Sequence, residues 1–283
     1  MKKVLWILVL ILIVSLSTVF SACNSATPQG LLGDYWGNYE QFTYSVTDKN
    51  NPDTQILGSY SLAIEKFAKG SKVTLAEGFE LLDVSNGNLI TGSLDINGEK
   101  IDTACYFEIA DNNTFLVPVA SYRKVVSGTD VTITKMNYDG TNCNYTITTN
   151  GVIKSGSINN KTPMYDTNEI YNTLRGASTL STAFSMSFNV PIPAENTSAT
   201  LTAACSSNSI LTSPDASANE LYGEGINCYA VTLSRSTEVP GISYTLYYGV
   251  DQMTVSNWKI TRPLIKIVEG KVEYNLTGVS VVK

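Results

Sequence analysis

Pairs of residues that favour tight turns recur along this chain at intervals short enough to dictate antiparallel β-structure. Asn86-Gly87, Asn97-Gly98, Ser127-Gly128, Asp139-Gly140, Asn150-Gly151 and Glu269-Gly270 each separate stretches with strand character. Asn-Gly is the strongest of these signals, because both residues accept the positive φ of a type I′ hairpin turn. Between the turns the apolar residues alternate: Phe42, Tyr44 and Val46 share one face of a segment whose other face carries Thr43 and Ser45. A period of two means a strand with one buried face. Strands are predicted over Gln55–Phe67, Ser71–Val84, Leu89–Ile96, Ala104–Ala110, Phe115–Val119, Tyr122–Val126, Val131–Tyr138, Asn144–Thr149 and Val152–Ile158. They return over Leu221–Leu233, Ile242–Gly249, Thr254–Ile260, Leu264–Val268 and Lys271–Val282. The expected fold class is all-β, an antiparallel sandwich or barrel.

The alternation breaks once. Asp166-Thr167-Asn168-Glu169 offers an Asx cap with Glu three residues on, Ile170 and Leu174 share a helical face, Arg175 falls in the last turn, and Gly176 follows as a C-terminal cap. One short helix is therefore predicted near 166–175. With the preceding Lys161-Thr162-Pro163 it suggests a division into a β domain over 31–160, a linker and helix over 161–176, and a second β domain or β extension over 177–283. Pro191 and Pro193 mark an irregular or edge segment. Ser206–Glu220 reads as a long exposed loop.

The N-terminus carries a different message. Lys2 and Lys3 precede an unbroken apolar run from Val4 to Val14, and a softer tail leads to Phe20-Ser21-Ala22-Cys23. A basic start, an apolar helix-forming core and small residues at the end are the marks of a secretory signal. This segment resembles a bacterial lipoprotein signal peptide: its last three residues match the lipobox, and Phe20 stands where Leu is usual. The resemblance implies a signal helix removed at residue 22, an acylated Cys23, a polar tether over 23–30, and a body held at the cell envelope by lipid. Asn24, in place of the Asp that retains such proteins at the inner membrane, points to the outer membrane or cell surface. In an oxidising compartment the four remaining cysteines are expected to pair, with Cys105–Cys143 and Cys205–Cys228 favoured and worth about 3–4 kcal/mol each. The alternative is four buried thiols.

Composition narrows the chemistry. The chain has 283 residues, no histidine and a net charge of −6. Without histidine, Ser-His-Asp and Cys-His catalysis and most zinc sites are closed. An acidic chain with no basic run is a poor partner for nucleic acid. No cofactor motif is present, and neither cofactor nor metal is expected. Asn137–Asn142 lacks the acidic ligands of a calcium loop and reads as a turn. Carboxylate chemistry, such as glycoside hydrolysis, stays open through residues like Asp83, Asp95, Asp102 and Glu108, whose simplest role is to solvate outer faces. The chain has 16 Tyr, and clusters at Tyr35, Trp36 and Tyr39 and at Tyr244 and Tyr247 are candidate binding residues.

Gly33-Asp34-Tyr35-Trp36, opening a meander that ends in a helix, is similar to the Gly-x-Trp start of lipocalin and calycin barrels, with one residue added. That resemblance covers about 31–176 and implies a cup for an apolar ligand. The expected function is thus a non-catalytic envelope lipoprotein presenting a β-rich binding surface to a protein, glycan or small apolar ligand. The alternatives are a lipocalin-like carrier and a carboxylate-dependent hydrolase. A dry, enclosed cavity above ~300 Å³ lined by apolar residues would favour the carrier. Two facing carboxylates would mark the hydrolase.

Overall fold

The computed structural model describes residues 31, 36–50, 56–109, 116–159, 164–167, 170–177, 180–214, 216–235 and 243–281. The expected signal peptide, Cys23, the tether and Tyr35 lie outside them. The strands are β1 (Tyr39–Asp48), β2 (Ile56–Phe67), β3 (Val73–Ala76), β4 (Phe79–Leu81), β5 (Gly87–Ile96), β6 (Glu99–Ile109), β7 (Leu116–Ser127), β8 (Asp130–Tyr138), β9 (Asn142–Thr149) and β10 (Val152–Asn159). After a short helix come β11 (Ser185–Ile192), β12 (Thr197–Leu211), β13 (Ile226–Arg235), β14 (Ser243–Gly249), β15 (Met253–Val255), β16 (Trp258–Ile260), β17 (Leu264–Glu269) and β18 (Val272–Val281).

Fourteen of these form a single sheet in the order β10-β9-β8-β7-β6-β5-β2-β1-β18-β17-β14-β13-β12-β11. All of its pairings are antiparallel, and the sheet curls into a nearly closed barrel. The chain starts in the middle of the sheet and meanders outward to one edge at β10. It crosses to the other edge at β11 and meanders back until β18 pairs with β1, Tyr44 opposite Leu276 and Val46 opposite Tyr274. The residues before 160 and those after 177 therefore share one sheet, joined along β1 and β18.

Alternation decides which side of each strand turns inward. Phe42, Tyr44, Leu62, Ile64, Ile90 and Leu276 point into the barrel and are at most 1% exposed. Their neighbours Thr43, Ser59, Asp95 and Lys100 face solvent. An apolar interior and a polar exterior invert the pattern of a membrane-spanning barrel, whose apolar band faces lipid. The hairpin of β3 and β4 covers one part of the outside, where Val73, Leu75, Leu89, Ala104, Tyr106 and Ala120 make a second, smaller core.

Several elements differ from expectation for local reasons. Asn97-Gly98 and Asn150-Gly151 do form positive-φ turns, but Asn86-Gly87 is no hairpin turn. Gly87 opens β5, where a Cβ would lie 2.2 Å from the Phe107 carbonyl oxygen and 2.5 Å from the Tyr106 hydroxyl. Close strand approach, and not backbone handedness, requires glycine there. The stretch 71–84 is not one strand but the hairpin of β3 and β4, turned at Gly78 (φ +68°). The segments expected over 115–119 and 122–126 fall, from Leu116 on, in one strand, β7. The expected loop over Ser206–Glu220 is instead the end of β12 followed by a 3₁₀ turn (Ala216–Ala218) and a short helix that runs to Tyr222. Serine and asparagine suggested a loop, yet the ladder to β13 carries the strand on through Ser207–Leu211.

Among the described residues no main-chain ladder joins the two edge strands, β10 and β11, and the seam between the sheet's edges is bridged by side chains. Across this seam Tyr145 donates to Asn196 Oδ1 at 3.1 Å, and the Lys154 ammonium reaches the Ala194 carbonyl at 3.3 Å. Tyr145 can lean this way because Gly156 opposite has no side chain; a Cβ there would stand 2.4 Å from the tyrosine hydroxyl. Below them, the chain leaving β10 runs beside β11, where the Tyr165 amide donates to Asn189 at 2.9 Å.

Candidate functional site

One end of the barrel is plugged and the other is hollow. The plug is helix α1 (Ile170–Thr173), prolonged by a 3₁₀ turn to Gly176. It buries Ile170 and Leu174 among the inward side chains, as their shared face predicts. Arg175 had been expected to favour the helix C-terminus by its charge, but it enters the barrel and is fully buried. It makes an ion pair with Glu40 of β1 at 2.8 Å. It also donates to the carbonyls of Arg262 at 2.9 Å and Thr261 at 2.8 Å and lies over the Phe42 ring at 5.1 Å. Arg262 returns the contact by donating to the carbonyls of Arg175 and Ala177. Two tyrosines complete the lock, Tyr44 donating to Leu264 at 2.8 Å and Tyr248 to the Tyr171 carbonyl. Burial drives both phenols upward in pKa, so they are permanent donors.

Above the plug the barrel holds a cup of about 520 Å³, open to solvent on one side. That volume falls within the ~300–1,000 Å³ of small-molecule sites. Its wall is built by the inward positions of successive strands: Leu94 of β5, Ile101 of β6, Met136 of β8, Ile147 of β9 and Ile267 of β17. The turn Pro191–Ala194 closes it at the seam, and Tyr171 and Thr167 form its floor toward the plug. The side chains there are mainly aliphatic or aromatic, and such a surface favours apolar ligands by about 25 cal/mol per Å² removed from water.

Two polar features interrupt the apolar wall. The first is a chain of hydroxyls ending on Glu269. Tyr171 donates to Tyr244, which donates to Glu269 Oε1 at 3.0 Å. Tyr274 donates to Glu269 Oε2 at 3.2 Å. Burial, reinforced by the Glu269 charge, pushes the Tyr244 phenol up to about 12, so it stays a donor throughout the physiological range. Each carboxylate oxygen thus has a hydroxyl partner.

The second is Arg123 on β7. Its cross-strand neighbours are Thr103 of β6 and Thr134 of β8, so a cation stands between two hydroxyl-bearing residues in one row of the wall. Desolvation lowers the guanidinium's pKa, with Glu99 at the rim acting in the opposite sense. Among the described residues no carboxylate reaches ion-pair distance of Arg123.

Of the aromatic residues singled out in the sequence that are described, only Tyr244 lines the cup. Trp36 is buried in the main core, 4% exposed, and its indole nitrogen has no hydrogen-bond partner among the described residues. Tyr39 lies half-buried at the plugged end, and Tyr247 is half-buried next to the Lys266–Glu273 ion pair of the outer face. Among the cup's other polar residues, Tyr60, Arg123, Tyr171, Glu269 and Tyr274 carried no signal in the sequence. On β7 both faces hold a charge, Arg123 on one and Lys124 on the other, so alternation alone does not say which points inward.

The four described cysteines are all buried, and neither expected disulfide is formed. Cys105 on β6 and Cys143 on β9 are separated by two intervening strands, about 14 Å at ~4.8 Å per strand, against the ~4.4–6.8 Å between Cα atoms that a bridge needs. Cys205 and Cys228 are on adjacent strands but out of register, Cys205 opposite Val231 and Cys228 opposite Ser209. Burial raises the Cys143 and Cys228 thiols to about 12, which makes them poor nucleophiles.

The acidic residues considered for hydrolysis stand elsewhere. Asp102 accepts from Ser93 at 2.8 Å on the outer face, Asp95 is exposed beside it, and Asp83 is exposed in a loop with φ +54°. Glu269 is the single carboxylate among the residues lining the cup. At Asn137–Asn142 the Asp139 carboxylate accepts from the amides of Thr141 and Asn142 at 3.0 and 2.6 Å, a self-satisfied turn. Among the described residues no group of three or more Cys, Asp or Glu side chains is placed to hold a metal ion.

Comparison with known proteins adds nothing to this geometry: no family model, curated protein or solved structure matches the chain.

Proposed function

We propose that the protein is a cell-envelope lipoprotein, anchored through acylated Cys23, whose β-barrel binds a small apolar molecule in its cup without transforming it. The single observation that carries this reading is the 520 Å³ apolar hollow above the plug. A core built only for stability would close such a space, since unfilled volume costs packing energy. Here the plug, the hydroxyl chain and the turn at the seam hold it open instead. The acidic body has no affinity of its own for anionic lipid, so acyl chains at ~0.8 kcal/mol per buried CH₂ supply the attachment.

The gain available to a ligand follows from the same arithmetic. Ten or so buried methylenes at ~0.8 kcal/mol contribute about 8 kcal/mol. Association costs at least ~4 kcal/mol of this, which leaves about 4 kcal/mol. An affinity near the millimolar range is expected for an unbranched apolar molecule of that length, tightening about fourfold with each further buried methylene.

Mass spectrometry of the protein purified from its own membranes tests both parts. Under denaturing conditions the N-terminal peptide should begin at Cys23 and carry acyl mass. Under native conditions the intact protein should retain one noncovalent apolar adduct. An unmodified N-terminus would remove the anchor, and a body that neither retains nor takes up any apolar molecule would remove the cup.

A further inference from the structure

We infer that the cup selects amphipathic ligands with an anionic head, a carboxylate on an apolar tail, and that Arg123 is the residue that reads the head. This deepens the proposed binding function and rests on it.

The inference comes from the unequal state of the two charges in the wall. Glu269 is provided for by the fold: Tyr244 and Tyr274 donate to its two oxygens at 3.0 and 3.2 Å, and Tyr171 backs Tyr244. It has little left to offer a cationic ligand. Arg123 is the opposite case. It lines the same cup, and among the described residues it is engaged in neither an ion pair nor a hydrogen bond. Five guanidinium N–H donors half-removed from water and left unmatched are costly, and fixed donors of that kind are matched best by a carboxylate, which can accept two parallel hydrogen bonds.

The surroundings suit that role. Thr103 and Thr134 flank Arg123 in the cross-strand row, placing hydroxyls on either side of a bound head. The Tyr171 and Tyr244 phenols are near enough to act on the guanidinium electrostatically. The one carboxylate that acts on it, Glu99, begins β6 at the open rim and stays beyond ion-pair distance, leaving the fork available. From Arg123 the aliphatic wall runs through Ile101, Met136 and Ile147, a path for a tail whose head is fixed.

Titration calorimetry of the full mature chain with dodecanoate, 1-dodecanol and dodecyltrimethylammonium tests this. Dodecanoate should bind at least about tenfold more tightly than dodecanol, the value of one charge-assisted hydrogen bond in a partly desolvated site. The cation should be weakest. In Arg123→Gln the acid-over-alcohol ratio should collapse to near one, and Arg123→Lys should fall between, because it keeps the charge and loses the fork. Thermal unfolding of each variant checks that the fold is retained. If dodecanol binds as well as dodecanoate and the ratio does not respond to Arg123→Gln, the head-group assignment fails and the cup stands. Preference for the cation would overturn it in favour of Glu269. If none of the three binds, the cup itself is wrong and the assignment falls with it.

Discussion

Arg175→Ala should destabilise the protein by about 3–5 kcal/mol in urea unfolding, the loss typical when one member of a buried ion pair is removed. The size follows from what the side chain holds together. Arg175 ties helix α1 to β1 through Glu40, to the segment before β17 through the carbonyls of Thr261 and Arg262, and to the core through the Phe42 ring. Removing it leaves Glu40, 1% exposed, as an uncompensated buried charge. The double variant Glu40→Gln with Arg175→Met should recover much of the loss, because neither partner then keeps a stranded charge. If Arg175→Ala costs less than 1 kcal/mol, the plug is not what closes this end of the barrel. Should the single variant fail to accumulate, the double variant still reports on the same network.

Ile147→Trp should lower the affinity of the full chain for N-phenyl-1-naphthylamine, an uncharged fluorescent probe, by at least tenfold. Ile147 projects from β9 into the cup, and a bicyclic ring there occupies space that the ligand needs. Most overpacking substitutions cost ~1–3 kcal/mol because the added atoms meet a filled core. This one enters a hollow, so the unfolding midpoint should change little. Ile153→Trp is the matched control: it adds the same ring on β10 at a position 68% exposed, outside the cup. Equal loss of binding in both variants would show that the probe reads general surface hydrophobicity.

Much of this architecture was legible because strands announce themselves locally. Alternation placed Phe42, Tyr44 and Val46 on an inner face, and positive-φ pairs placed the turns at Asn97-Gly98 and Asn150-Gly151. The helix near 166–175 was legible from Ile170 and Leu174, although it is shorter than expected and Gly176, read as its C-terminal cap, lies inside the 3₁₀ turn with Ala177 at the cap. What local pattern does not carry is closure. Nothing near Tyr44 in the chain points to Leu276, and the pairing of β1 with β18 is what turns two meanders into one barrel. The cup was hidden for the same reason, since Tyr60, Arg123, Tyr171 and Tyr274 come from distant strands and meet only once the sheet has curled. The cysteines show the converse error. An even number in a chain expected to be exported suggested pairs, but register and intervening strands, which composition does not encode, keep all four apart.

Methyl NMR of the mature chain titrated with 1-dodecanol tests most directly whether the hollow of the barrel is the binding site. The methyls of Leu94, Ile101, Ile147 and Ile267, which line the cup, should shift together and saturate at one equivalent. The methyls of Val73, Leu75 and Leu89, in the separate core beneath the β3–β4 hairpin, should stay in place. Shifts confined to that outer core, or spread evenly over the surface without saturation, would contradict an internal site.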